Sequence, residues 1–277
     1  MPDVLARARA CIDCCDPEDK LRQTHATWRA LQAGELAVDA EALPPPPIGD
    51  PGRPLRPRLV APRALPQRGL GTPEGRVALV HAVAHIEFNA INLAWDAVYR
   101  FRGMPAAYYT DWARVADDEA RHFALLAGRL CELGHAYGDF DAHNGLWDMA
   151  QKTAHSDVAR MALVPRVLEA RGLDVTPGMI ERLKTAGDMD TVAILEVILR
   201  EEVAHVHCGS HWFRWCCARD GLEPRATFRK LLSDYMRGGP KGPFNLSARR
   251  AAGFDEDELS DLQASTQAPV NGDRYCR

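Results

Sequence analysis

The chain has 277 residues, length enough for one large domain or two small ones. Its 46% hydrophobic and 26% charged residues exclude wholesale disorder. Lys and Arg number 34 against 38 Asp and Glu, and the resulting net charge of −4 argues against a strongly basic nucleic-acid binder.

Charges or His interrupt every apolar run before it reaches the roughly 18 residues of a membrane span, so no membrane segment is expected. The first twenty residues hold no stretch apolar enough for a secretion signal, which makes the cytoplasm the expected compartment. Residues 1–38 read as two helices, the second opened by Asp16-Pro17. Cys11, Cys14 and Cys15 form a CxxCC cluster on the first. No second CxxC or His pair follows at zinc-site spacing, so these thiols read as small apolar fillers, and disulfides are not expected in a reducing compartment.

Ten of the nineteen prolines fall between Leu43 and Pro73. Proline removes backbone donors and blocks helix interiors, so this stretch is an extended arm. Leu59, Val60, Leu65 and Leu70 among its arginines suit a strap lying on a folded body. Thr72-Pro73-Glu74 then opens a long helix, with a cap residue, a proline in the first turn and an acid. Apolar residues recur at helical period from Val77 to Val98, and Gly103 ends the run. A second long helix runs from Pro105 to Gly134. A third is expected over 157–170, ended by Arg171-Gly172, with a short helix starting at Pro177. A fourth spans Asp188 to Ala218, and helical pieces follow Gly221. No segment alternates as a strand does. The expected organisation is therefore all-α. N-terminal helices and a Pro-rich strap occupy 1–71, a four-helix bundle 72–220 and a C-terminal helical extension 221–277.

Two Glu-x-x-His sequences stand out, Glu119 with His122 and Glu202 with His205. Residues three apart share one helix face, so each pair aims an oxygen and a nitrogen ligand at one divalent ion. Both lie mid-helix among apolar neighbours, where an ionised Glu is costly unless a cation compensates it. One such match alone says little, since Glu132-Leu133-Gly134-His135 also matches at a helix end. The pairing carries the argument. A two-metal carboxylate site in a helix bundle takes one Glu from each of two helices and Glu-x-x-His from each of the other two. Glu87 and Glu169 supply the single acids, 32 and 33 residues before Glu119 and Glu202 respectively. His85 is offset from Glu87 around the helix, so it is expected as a hydrogen-bonding partner of a ligand or as a surface residue. Glu201 is expected to orient a neighbouring ligand. Arg160 and Arg166 are assigned to ion pairs below the site, with an anionic substrate as the alternative. Arg249 and Arg250 are expected to pin the C-terminal segment.

The segments GRPLRPRLVAP, GTPEGRVALVHAVAHIEFNAINLAWD, DDEARHFALL, YGDFDAHNGLWDMA, ARMALVPRVLEARGLDVTP, ILREEVAHVHCGSHWF and PFNLSARRAAGF together resemble the ferritin-like family filed as domain of unknown function 455. The resemblance covers nearly the whole chain. It implies a ferritin-like four-helix bundle, with Glu87, Glu119, His122, Glu169, Glu202 and His205 as ligands of two iron ions, manganese being the alternative. The expected activity is O2-dependent oxidation of a small organic molecule. Electrons would come from a separate donor protein, because no Rossmann fingerprint or P-loop is present. Iron handling or a metal-stabilised binding module is the non-catalytic alternative. A tRNA-modifying hydroxylase in the same superfamily makes action on tRNA a third.

Overall fold

The computed structural model describes residues 3–38, 43, 45–236 and 239–267, and among these it contains helices, turns and no strand. Two short helices come first, α1 (Val4–Asp13) and α2 (Pro17–Gln32). Four long rods follow. The first is α3 (Pro73–Arg100), opened as its sequence dictates by Thr72, whose hydroxyl accepts the Gly75 N–H at 3.1 Å. The second is α4 (Ala106–Glu132). The crossover after it carries α5 (Gly145–Lys152). The fourth rod is α8 (Met189–Arg219), capped by Asp188.

The third rod differs from its expected form. It does not stop at Arg171-Gly172. It runs through as α6 (Asp157–Leu163), a π-helical stretch Val164–Glu169, and α7 (Ala170–Thr185). Two prolines lie within it, and each is accommodated. Pro165 falls in the wide π turn, and its ring packs where a side chain on Gly209 of α8 would stand, 2.3 Å from a Cβ there. Pro177 cannot donate to the Leu173 carbonyl four residues back. That carbonyl instead accepts the Asn245 side-chain amide at 3.2 Å. A helix-breaking signal is thus cancelled by a residue 68 positions later in the chain.

The rods pack α3 on α4, α4 on α8, and both α6 and α7 on α8. One hydrophobic core runs through them and takes in α1 and, after the rods, Phe228, Phe254, Leu259 and Leu262. By length and composition α3 could cross a membrane, contrary to the expectation that no segment would, but most of it is buried between α1 and α4. The Pro-rich arm lies on the crossover. Val60 N–H donates to the Ala142 carbonyl at 2.8 Å, and Ala142 N–H to the Arg58 carbonyl at 3.0 Å. Its Arg53, Arg58 and Arg68 pair with Asn144, Asp141 and Glu74 of the same chain. Beyond α8 come α9 (Pro224–Tyr235), α10 (Leu246–Ala251) and α11 (Glu256–Gln267). Arg249 fixes α10 to α7 through a two-pronged pair with Asp174 at 2.9 and 2.7 Å. Arg250 pairs with Glu256 near the surface.

Lys20 is a buried charge outside the rods. Its side chain is fully buried, and its Nζ donates to the Cys11 and Ile12 carbonyls at 2.7 and 3.1 Å and to Asn92 at 2.6 Å. It therefore closes the C-terminal end of α1, where the helix dipole favours a cation. Burial lowers its pKa to about 8. The folded chain then binds fewer protons than the unfolded chain between that value and the ordinary lysine value of 10.5. Stability from this group rises with pH across that window, by about 3 kcal/mol in all. Wild type is expected to gain stability over a Lys20→Met variant as denaturation is repeated from pH 8 to pH 10.5, and a flat difference would refute the assignment.

Candidate metal centre

The rods bring the four expected acids to one cavity: Glu87 from α3, Glu119 from α4, Glu169 from the last position of the π stretch, and Glu202 from α8. All four are buried, as are His122 and His205. Two groups of three lie close enough to share an ion, Glu87 with Glu119 and His122, and Glu119 with Glu202 and His205. Glu119 belongs to both. Its Oε2 lies 3.3 Å from Nδ1 of His122 and its Oε1 lies 3.0 Å from Nδ1 of His205. One carboxylate thus turns an oxygen toward each half of the site, as a bridging ligand does. Glu87 completes the first half at 3.4 Å from His122 Nδ1, and Glu202 the second at 3.1 Å from His205 Nδ1. Glu169 Oε2 is buried with no hydrogen-bond partner. A buried carboxylate oxygen is rarely left unpaired, and a cation would satisfy it.

Both imidazoles present Nδ1 to the interior and Nε2 to the outside. Nε2 of His122 meets Glu201 at 2.7 Å, and Nε2 of His205 meets Asp118 at 3.3 Å. A carboxylate on the far nitrogen fixes the tautomer and leaves Nδ1 free to bind metal. The support is crossed, since Glu201 on α8 holds the histidine of α4, and Asp118 on α4 holds the histidine of α8. Arg121 ties the two supports together, with Nη2 at 2.8 Å from Asp118 and 2.7 Å from Glu201.

The electrostatics follow from burial. Burial, then the charge of neighbouring Glu119, raises Glu87 well above the usual carboxylate range. Burial and nearby Glu202 and Glu119 do the same to Glu169, and burial and Glu119 raise Glu202. Burial also opposes the charge of Glu119, but His205 and His122 outweigh it and hold that acid well below the usual range. Burial opposes protonation of His122, but its hydrogen bonds to Glu119 and Glu87 win and push it up to about 11. His205 is raised by the same balance, with Glu119 the largest attraction. Left to itself, the cluster holds protons where it lacks cations. Two divalent ions would match the charge of four carboxylates and let both imidazoles be neutral ligands.

Other expectations separate. Glu201 stands where a ligand-orienting residue was expected. Asp118 and Arg121 were not anticipated, although a signal existed: an acid precedes the Glu of both Glu-x-x-His sequences, as Asp118-Glu119 and Glu201-Glu202. His85 is not a partner of the ligands. It is buried, and it bonds Tyr137 Oη at 2.9 Å and the His143 carbonyl at 3.1 Å, anchoring the crossover. Arg166 is not at the cluster either. It is fully buried, bonds Glu258 at 2.6 Å, and lies 4.4 to 4.7 Å from the rings of Phe213, Phe228 and Phe254. Its role is to hold the C-terminal end against the π stretch. Arg160 makes an ion pair with Asp96 of α3. Glu132 of the third Glu-x-x-His match is exposed and paired with Arg129.

A cavity of about 130 Å³ opens beside the four carboxylates, walled by apolar side chains of α3, α7 and α8. Ile86 stands at its edge and is 47% exposed.

The chain matches the family described as protein of unknown function (DUF455) over residues 13–260. It is similar to an uncharacterized protein of Haemophilus influenzae, with 49% identity over 213 residues, which are 74% of this chain and 74% of that protein. No solved structure matches it.

Glu119→Ala is expected to abolish binding of both Fe(II) or Mn(II) equivalents, since it removes the shared ligand, whereas Glu201→Gln weakens binding about 10- to 100-fold. Equilibrium dialysis with metal analysis distinguishes the two, and full occupancy in Glu119→Ala would remove that residue from the ligand set. Metal loading displaces protons from His122, His205 and the raised carboxylates, so affinity is expected to increase with pH. Calorimetry in buffers of different ionisation enthalpy reads the proton release, and proton uptake would contradict it.

Proposed function

The chain belongs to the family described as protein of unknown function (DUF455), and we propose that it is a ferritin-like di-metal carboxylate protein that oxidises a small organic substrate with O2. The observation that carries this reading is Glu119, one buried carboxylate set between the Nδ1 atoms of two outward-braced histidines. The unpaired Glu169 oxygen supports it from the third rod. Oxygen-rich ligands with two imidazoles suit Fe(II), with Mn(II) the alternative, and Zn(II) favours fewer and softer ligands. A pair of ferrous ions held there would supply reducing equivalents to O2.

The chain's own residues do the rest. Glu201 and Asp118 hold the histidine rings in one orientation, and Arg121 keeps those two acids in place. The apolar cavity walls hold bulk water away from the reacting centre. In a hydroxylation, one oxygen atom of O2 enters a C–H bond of the substrate and the other leaves as water. The electron pair and the protons come from outside, so a separate donor protein is part of the proposal. Three arginines of the Pro-rich arm already pair within the chain, which favours a small substrate over action on tRNA.

Protein purified without oxygen is expected to carry about two irons per chain by mass spectrometry. Admitting O2 is expected to bring up a near-ultraviolet absorption band. No stoichiometric metal after reconstitution with Fe(II) would overturn the reading and leave the six residues a buried polar network.

A further inference from the structure

The cavity beside the carboxylates has a composition that restricts what enters it. Apart from the four acids, its only polar lining residues are Arg171 and Thr176. Arg171 is already engaged, donating to the Lys241 carbonyl at 2.7 Å and the Pro243 carbonyl at 3.1 Å. Its Nη1 is thereby turned toward that segment, and it also lies 3.8 Å from Asp174. Thr176 is buried and has no hydrogen-bond partner among the described residues. Two other helical threonines turn back onto the carbonyl four residues earlier, Thr110 at 3.2 Å and Thr185 at 2.9 Å. Thr176 makes no such bond, and it lines the cavity. The volume of about 130 Å³ is close to the ~150 Å³ of an apolar protein cavity that holds one benzene ring.

We propose that this chamber takes a compact, neutral, hydrocarbon-rich group, one aromatic ring or a branched alkyl group of that size, bearing a single hydrogen-bonding atom that meets Thr176. An anion would lose its hydration and meet four carboxylates, and a cation would be drawn to those carboxylates and not to the apolar walls. A second ring exceeds the space. The inference deepens the function proposed above and rests on it for the oxidation, although the binding itself does not require the metal.

The test is titration of benzene, phenol and naphthalene into the full-length protein as purified, with metal content measured on the same sample. Benzene and phenol are expected to bind saturably and naphthalene not to bind. Thr176→Val, nearly the same shape, is expected to weaken phenol about tenfold, the value of one hydrogen bond, and to change benzene less than about twofold. Ala90→Phe, at the cavity wall, is expected to abolish both. Should that larger side chain prevent folding, the Thr176→Val comparison still decides. Absence of saturable benzene binding, or equal responses of benzene and phenol to Thr176→Val, overturns the proposal. Bound metal without ring binding defeats the chamber alone. Ring binding in a chain that takes up no metal supports the chamber and defeats the di-metal reading alone.

Discussion

Four carboxylates in an apolar interior are the constraint on which the centre of this molecule is built. Each buried acid raises the cost of ionising the next. The chain answers with two histidines turned inward by Nδ1, two further acids holding those rings from outside, and one arginine bracing the outer acids. Charge alternates in sign from the cavity to the surface. Removing any layer leaves the next one uncompensated. This layering is why the surface residue Arg121 belongs to the centre as much as the buried Glu119 does.

Much of this arrangement was legible in the sequence. Periodicity located α3, α4 and α8 because each is uninterrupted and clearly capped. The near-equal spacing from Glu87 to Glu119 and from Glu169 to Glu202 placed four acids on four rods. Local signals failed where a distant residue changes their meaning. Pro177 reads as a helix start because its missing donor should leave a carbonyl bare. Only the fold reveals that Asn245 covers that carbonyl. Arg166 and His85 sit on helices that carry candidate ligands, and periodicity gives a residue's face but not what the face meets. One meets an aromatic cage and the other a crossover tyrosine. Asp118 escapes a local reading for a different reason. Its signal lay in comparing the two Glu-x-x-His sequences, not in either one.

The π stretch links the centre to α11. Its wide turn rotates everything after it by about 100° relative to an unbroken α-helix, and Glu169 stands at its last position. Within the same stretch, Pro165 packs on Gly209 and Arg166 bonds Glu258 of α11. A buried acid of the central cluster, a close contact between rods and an ion pair to α11 therefore share six consecutive residues.

The contacts of Asn245 and Arg249 with α7 set an order on synthesis. Leu173 and Asp174 belong to the third rod, yet the groups that satisfy them come more than 70 residues later. The rod that carries Glu169 therefore completes its hydrogen bonding only once residues 245–249 have been made. The third rod is thus closed by chain that follows α8, the last of the four rods, and not by its own neighbours in sequence.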